Sequence, residues 1–372
     1  MNFKKKVIVA MSGGVDSSIA AWLLKKQNYN VEGLFMKNWE ENDTNEYCAS
    51  KKNLKDVQLV CNQLNIYLHK VNFSYEYWNK VFKVFLKNYM QGFTPNPDVL
   101  CNYKIKFNVL LKFAIKILKA DYLATGHYAI NSNFHKRELL KSWDKSKDQT
   151  YFLYTLNYKI IKKIIFPLGE LNKNIVRKLA HKLNMQIANK KSSTGICFIE
   201  PKNFKKFLTD YIPIKKGLIK TIFGLNIGFH DGVEFYTIGQ RKGINIGGIK
   251  NTSNKPWFVI DKNVSKNILI VAQGSNNIYL RSYGFIIKKP YWFDLKVLKK
   301  KKKCDVQIRY RKKSLKCIIY PIKKKYIKIF FKNYEIAVTV GQSAVFYKYN
   351  ICIGGGIITK VFLINNINKI GS

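Results

Sequence analysis

Apolar residues along the first half of the chain recur in two alternating rhythms. The short runs Val7–Met11, Val31–Met36, Ile66–Val71 and Tyr122–Thr125 predict strands. Between them, apolar positions spaced three and four apart predict helices over Ser17–Gln27, Lys51–Leu64, Tyr75–Met90 and Lys104–Lys119. In the last of these, Phe107, Leu110, Leu111, Ala114, Ile117 and Leu118 share one face. Strands separated by such helices imply βαβ units and a parallel sheet. A further helix is predicted over Leu171–Leu183. Near Tyr211–Lys216 the texture changes to β-branched runs cut by Gly217, Gly224, Gly228, Gly232, Gly239, Gly243 and Gly247, which predicts a small β-rich module. From about Tyr283 onward, Val306–Tyr310, Lys316–Pro321, Tyr326–Phe331, Ser343–Tyr347 and Gly356–Phe362 predict a compact β-barrel or sandwich. The expected class is α/β: a parallel-sheet domain over residues 1–208, a small β-rich central domain over 209–277 and a β-barrel-like domain over 278–372.

Composition adds a partner and removes several classes. A length of 372 residues with 47% hydrophobic and 14% aromatic content supports buried cores and excludes a disordered chain. Lys and Arg number 66 against 22 Asp and Glu, a net charge of +44, which points to an anionic partner, nucleic acid foremost. Arg accounts for only six of these, and Lys, Asn, Ile, Tyr and Phe are the residues favoured by AT-rich codons, so part of the excess reflects codon usage. The runs Lys299–Lys303 and Lys323–Lys325 read as solvated loops between strands. No apolar run approaches the roughly 18–20 residues of a membrane span, and the N-terminus carries no apolar leader pattern. The seven cysteines include no CxxC pair, which argues against a zinc ribbon or a thioredoxin-type site and fits a reducing, cytoplasmic setting.

Ser12-Gly13-Gly14-Val15-Asp16-Ser17 joins the first strand to the first helix. Gly13 and Gly14 permit tight turns and let backbone N–H groups approach a phosphate closely. The helix N-terminus adds positive partial charge, and Ser12 and Ser17 can donate hydroxyl hydrogen bonds. Asp16 is placed to hold a magnesium ion on the phosphates. The segment is not a GxxxxGK[ST] loop, so kinases and GTPases of that class are disfavoured.

Two cysteines stand in loop-like surroundings. Phe93–Asn102 carries prolines on both sides of Asn96, which predicts an extended loop delivering Asp98 and Cys101 to a helix start near Tyr103. A thiol at a helix N-terminus is held toward the nucleophilic thiolate. Cys197 follows Gly195 in Ser193–Ile199, after a polar stretch, and is expected to be exposed enough to carry a persulfide. Cys48, Cys61, Cys304, Cys317 and Cys352 read as structural.

The hexapeptide resembles the pyrophosphate loop of the ATP pyrophosphatases. With LFMKNW (Leu34–Trp39), TPNPDVLCN (Thr94–Asn102), ATGHYA (Ala124–Ala129), KDQTYFLY (Lys147–Tyr154), STGICFI (Ser193–Ile199), GQRKGINIGG (Gly239–Gly248), PWFVIDK (Pro256–Lys262) and GQSAVFY (Gly341–Tyr347), the chain resembles the bacterial tRNA-specific 2-thiouridylases, the MnmA family. The resemblance runs over about residues 5–362. It implies a tRNA-uridine 2-sulfurtransferase that adenylates the C2 oxygen of the wobble uridine with ATP and magnesium and replaces that oxygen with persulfide sulfur. Ala10, Met11, Ser12, Gly13, Gly14, Val15, Asp16 and Ser17 would hold the phosphates, and Met36 and Gly126 would line the adenosine site. Asn96, Pro97 and Asp98 would meet the target base, with Asp98 a candidate acid/base. Cys197 would carry the persulfide and Cys101 would be the nucleophile that frees the sulfur, leaving a transient Cys101–Cys197 disulfide. His127, Lys147, Asp148, Gln149, Arg309, Tyr310 and Gln342 would touch tRNA. Also implied are a monomer, anticodon stem-loops of Lys, Glu and Gln tRNAs, and a persulfide relay from a cysteine desulfurase.

Three other readings compete. An amidotransferase-type synthetase acting on a small molecule would use the same phosphate loop, but needs neither Cys101 nor Cys197. A non-catalytic tRNA-binding protein would need neither the loop nor the thiols. An iron–sulfur thiolase would hold its cluster through CxxC and a third cysteine, and that pair is missing, although two cysteines with a third, non-cysteine ligand would still be able to hold one.

Overall fold

The computed structural model describes residues 5–40, 49–132, 138–191, 204–247, 249, 253–293, 301–323 and 326–365. Two compact units divide the chain. The first comprises Met1–Lys83, Pro97–Pro201 and Lys348–Ile353, and the second Val84–Asn96, Lys202–Tyr347 and Gly354–Ser372. Among the described residues no helix is long and apolar enough to cross a membrane.

The first unit is built on a parallel sheet. Strand β1 (Lys6–Met11) is its centre, and Val7, Ile8 and Val9 are fully buried, as a strand covered on both faces requires. Strands β2 (Asn30–Lys37) and β3 (Leu68–Asn72) extend the sheet on one side. On the other side lie β4 (Tyr122–Thr125) and β7 (Ile164–Ile165), giving the order β3-β2-β1-β4-β7 with every pairing parallel. Helix α1 (Val15–Lys26) buries Ile19, Ala20 and Leu24 in a core shared with Val57, Val60 and Cys61 of α2 (Ala49–Leu64) and with Val176 and Ala180 of α7 (Lys173–Lys182). Each large side chain so withdrawn contributes about 1.5–3 kcal/mol. Burial pushes the Cys61 thiol up to about 11, in keeping with a structural cysteine. A short hairpin of β5 (Ala129–Asn131) and β6 (Leu139–Lys141) pairs with Ile351 and Cys352.

The expected helix over Tyr75–Met90 is broken into α3 (Ser74–Tyr77), a π-helical turn over Trp78–Phe82 and α4 (Lys83–Met90). The next helix starts earlier than expected. The extended loop ends at Asn96, and α5 (Pro97–Cys101) begins with proline at its first position, where the missing N–H costs nothing, and aspartate in its first turn. It continues through wide π-helical turns over Asn102–Leu110 and Phe113–Ile117, with a non-helical break at Phe107. Short helix α6 (Tyr158–Ile161) precedes β7.

In the second unit, α8 (Phe204–Thr209) leads into a four-stranded sheet of order β10-β11-β8-β9. Its strands are β8 (Gly217–Thr221), β9 (Asn226–His230), β10 (Trp257–Asn263) and β11 (Ile268–Gln273), over a core of Ile219, Val259, Leu269 and Val271. Six strands follow: β12 (Arg281–Trp292), β13 (Lys302–Gln307), β14 (Leu315–Lys323), β15 (Tyr326–Ile336), β16 (Ser343–Lys348) and β17 (Ile351–Leu363). They pair in the order β12-β15-β14-β13-β16-β17, and β12 pairs with β17, closing an antiparallel barrel. Lys302 and Lys303, expected in a loop, belong to β13. Cys304 and Cys317 sit opposite one another on β13 and β14 and are buried, with their Sγ atoms 3.5 Å apart. The hydrogen bond to Cys304, together with burial, pushes the Cys317 thiol far up, so both fit the structural reading.

Candidate active site

The chain leaves β1 toward β2 on one side and reaches β4 on the other, so the sheet has its switch point between β1 and β4. Ligands of open parallel sheets bind beyond the carboxyl ends of the strands at such a point. Ser12–Ser17 stands there: Ala10 pairs with Thr125, and Gly126 follows at the end of β4. A Cβ on Gly126 would lie 2.8 Å from Asp16 C and Ser17 N, so only glycine lets the two strand ends close on the loop. Gly13 has φ +73° and would press a Cβ to 2.7 Å from the Asn53 carbonyl oxygen, so its turn also requires glycine.

Hydroxyls brace the loop. The Ser12 N–H donates to Ser17 Oγ at 3.2 Å, and the Ser17 and Ser18 hydroxyls donate to the Gly14 carbonyl at 3.1 and 3.0 Å. Gly14 caps α1 in extended conformation, and the first intrahelical bond runs from Ser18 N–H to Gly14 O. By helix geometry the amides of the first turn lack intrahelical acceptors, which is the usual anion cradle. Ala10, Met11 and Val15 serve this cradle as framework, the last two buried. Met36 pairs with Val71 near the carboxyl end of β2.

Asp16 has partners of its own. Its Oδ1 accepts from the Lys173 ammonium at 2.5 Å and from the Tyr128 hydroxyl at 2.8 Å. Lys173 is buried, and its backbone N–H donates to Asp144 Oδ2 at 3.0 Å. Burial and the Asp16 charge raise Tyr128 far above the ordinary phenol range, so it stays a donor. Oδ1 of Asp16 is thus engaged by an ammonium and a phenol, which fixes the carboxylate beside the loop; a magnesium ion of the kind expected there would arrive on the ATP phosphates.

Lys190 forms a second brace. Its ammonium donates to the Gly13 carbonyl at 2.9 Å, to Asn53 Oδ1 at 2.8 Å and to Asp56 Oδ2 at 2.5 Å. Lys173, Tyr128 and Lys190 were not expected from the sequence. Tyr128 lies within the ATGHYA motif, but lysines 157 and 177 residues from their partners carry no local signal.

Cys101 is buried at 1% exposure and lies in the fifth position of α5. This corrects the expectation of a thiol at a helix start near Tyr103: the charge effect of a helix end fades within its first turn, which here holds Asp98. Neighbouring Asn102 donates to the Phe152 carbonyl at 3.2 Å, while its buried Oδ1 has no hydrogen-bond partner among the described residues. Cys197 and Cys48 lie outside the described residues.

Several expected tRNA contacts have intramolecular partners. His127 Nδ1 shares a 2.7 Å hydrogen bond with Thr125, and burial and the charge of Lys106 hold its pKa well below 6.5, leaving a neutral ring. Asp148 accepts from Ser142 N–H and from the Thr150 hydroxyl, and Gln149 Oε1 accepts from Tyr128 N–H. The Lys147 N–H donates to the Asp144 carbonyl. In the second unit the Arg311 guanidinium sits 5.1 Å over the Tyr310 ring. Arg309 Nη2 donates to the carbonyls of Ile238 and Ala337 and to Thr339 Oγ1, and Gln342 Nε2 donates to the Thr94 carbonyl.

Family comparison accounts for nearly the whole chain. Residues 5–201 match the model described as the tRNA methyl transferase HUP domain, 205–273 the tRNA methyl transferase PRC-barrel domain, and 282–358 the aminomethyltransferase beta-barrel domain. A tRNA-specific 2-thiouridylase of Buchnera aphidicola subsp. Acyrthosiphon pisum is 59% identical over 355 residues, covering 95% of this chain and 96% of that one. This chain belongs to the tRNA-specific 2-thiouridylase family. A second 2-thiouridylase, from Blochmanniella floridana, is 55% identical and covers 98% of this chain and 99% of its own length. Among solved structures, a U34-tRNA thiolase of Methanococcus maripaludis is 22% identical, covering 56% of this chain and 68% of that one at a TM-score of 0.34, too distant to bear on the site. Within the 2-thiouridylase frame, the cradle of Ser12–Ser17, Gly126 and Lys173 occupies the matched HUP domain, as do Cys101 and Cys197.

Proposed function

We propose that this chain thiolates the wobble uridine of tRNA at C2, consuming ATP. The observation that carries the reading is the glycine-lined cradle at the switch point, held in place by Lys173 and Lys190, in a chain that matches named 2-thiouridylases over 95% and 98% of its length.

The cradle's amides orient the β- and γ-phosphates, leaving the α-phosphorus open to attack. The uridine C2 oxygen bonds to that phosphorus and pyrophosphate departs, so a poor leaving group becomes AMP. Asn96, Pro97 and Asp98 hold the extruded base, with Asp98 the acid/base. Cys197 carries the persulfide, loaded by a donor of the cysteine-desulfurase relay class. The Cys101 thiolate attacks the inner sulfur, forming the Cys101–Cys197 disulfide and releasing hydrosulfide. Hydrosulfide adds to C2 and AMP leaves. An external thiol then reduces the disulfide. Lys147 and Tyr310 contact the nucleic acid, and anticodon loops of the Lys, Glu and Gln tRNAs are the substrates. The protein works as a cytoplasmic monomer.

Pyrophosphate release tests the order of steps. Wild type is expected to release it only when tRNA and ATP are both present, and Cys197→Ser is expected to release it without forming 2-thiouridine. Release from ATP and a small amine acceptor without tRNA would favour a synthetase instead.

A further inference from the structure

The loop that leads into Pro97 and Asp98 is fastened to the barrel and to the central module. Thr94 N–H donates to the Val340 carbonyl at 3.1 Å, and Gln342 Nε2 donates to the Thr94 carbonyl at 2.7 Å. Both backbone polar groups of Thr94 are thus held by one turn between β15 and β16. The Thr94 hydroxyl also lies 3.4 Å from that of Thr237. Gly341 between them has φ +92°, and a Cβ there would stand 2.7 Å from Thr94 N and 2.9 Å from Phe93 Cβ. The backbone contact is therefore close enough to require glycine.

The turn is itself pegged. Arg309 Nη2 reaches Ile238 O at 3.1 Å, Ala337 O at 2.7 Å and Thr339 Oγ1 at 3.0 Å, tying barrel strand ends to the turn that contains Thr237. The Gln342 and Gly341 backbones are fixed in turn by Ile358: its N–H donates to Gln342 O and its carbonyl accepts from Gly341 N–H, both at 2.9 Å. At the other end of the loop, α4 closes through Gly92, whose N–H donates to Tyr89 O at 2.8 Å, and the Phe93 N–H donates to Asn88 O at 3.1 Å. The segment Phe93–Thr94 thus has a fixed path, and Asn96 follows two residues on.

We infer that Gln342, with Gly341, is a positioning residue: it sets the path of the loop that carries Asn96, a residue proposed to meet the target base. The inference rests on the thiolation reading for its catalytic meaning, though not for its geometry. It gives Gln342 a task other than contact with tRNA. Displacements of about 1 Å in a positioning element cost on the order of 100-fold in rate, so a loosened loop lowers turnover more than affinity.

The test compares wild type, Gln342→Glu, which keeps size but removes the donor, and Gly341→Ala, which acts on the loop from a buried site. Two readouts are taken: amide hydrogen exchange of the peptide spanning residues 92–96, and kcat and KM for tRNA in thiolation. Thermal melts confirm that both variants are folded. Exchange is expected to rise about tenfold or more in both variants, with kcat falling about tenfold and KM staying within about twofold. Unchanged exchange in both variants overturns the inference, as does a raised KM with unchanged kcat, which would mark Gln342 as a tRNA contact. If wild type forms no thiolated tRNA, the functional reading fails while the exchange data still judge the clamp.

Discussion

At the residue scale, the decisive positions are those where a side chain is forbidden or a charge is required. Gly126 backs onto the peptide between Asp16 and Ser17, which is backbone and cannot swing aside. Gly126→Val is therefore expected to push the loop out of the cradle geometry and weaken ATP binding by at least about tenfold, roughly 1.4 kcal/mol. The same variant is expected to leave tRNA affinity in the absence of nucleotide within about twofold. Calorimetric titration with ATP and a separate tRNA binding curve check both. Unchanged ATP affinity would remove Gly126 from the site. Lys173 and Lys190 belong to this scale too. The loop's helix end already favours anions, and two ammonium groups, one on the Asp16 carboxylate and one on the Gly13 carbonyl, hold it in shape.

At the scale of elements, α5 carries Asp98 and Cys101, two of the residues proposed for the chemistry, and its start was the least legible in the sequence. Its thiol is buried, so free enzyme is expected to alkylate at Cys101 at least about tenfold more slowly than a fully exposed cysteine, and addition of tRNA with a non-hydrolysable ATP analogue is expected to accelerate it. Peptide mass spectrometry after timed iodoacetamide treatment gives the rates; no acceleration would mean that substrate binding does not open α5. Four of the five parallel strands were legible as short apolar runs spaced by helices, β4 falling on Tyr122–Thr125 as expected, while β7 has only two residues and carries no pattern. Five of the six barrel strands were legible as apolar runs; β12 was not picked out, and β13 covers Lys302–Gln307 rather than Val306–Tyr310, because cross-strand pairing of Lys302 and Lys303 with Ile319 and Ile318 prevails over the charge run. Helix α5 was misread because two prolines signal a loop, yet Pro97 at a first helical position starts a helix equally well. The π-helical turns follow an i→i+5 pattern that the three- and four-residue apolar spacing does not signal, and they shift the register of the face: Phe107, Leu110, Leu111 and Ala114 are buried, but Ile117, expected with them, is exposed.

At the scale of the whole molecule, the glycine cradle and its motif were readable, because a strand–glycine–helix junction is written in consecutive residues. The lysine braces and the Thr94–Gln342 bond were not, since they join residues far apart in the chain. Nor did composition show that Val84–Asn96 belongs to the second unit, because that assignment depends on tertiary packing. The charge of +44 fits a polyanionic partner, and with only six arginines its positive side is carried almost wholly by lysine. The central claim joins these scales: ATP at the switch point, sulfur from Cys197 and the thiol of Cys101 act on one uridine. Mass spectrometry of nucleosides tests it most directly, using unmodified tRNA incubated with the protein, ATP and a persulfide donor. The account predicts 2-thiouridine at the wobble position, formed only when ATP is present and lost in both Cys101→Ser and Cys197→Ser; full 2-thiouridine yield from either variant, or from wild type without ATP, would contradict it.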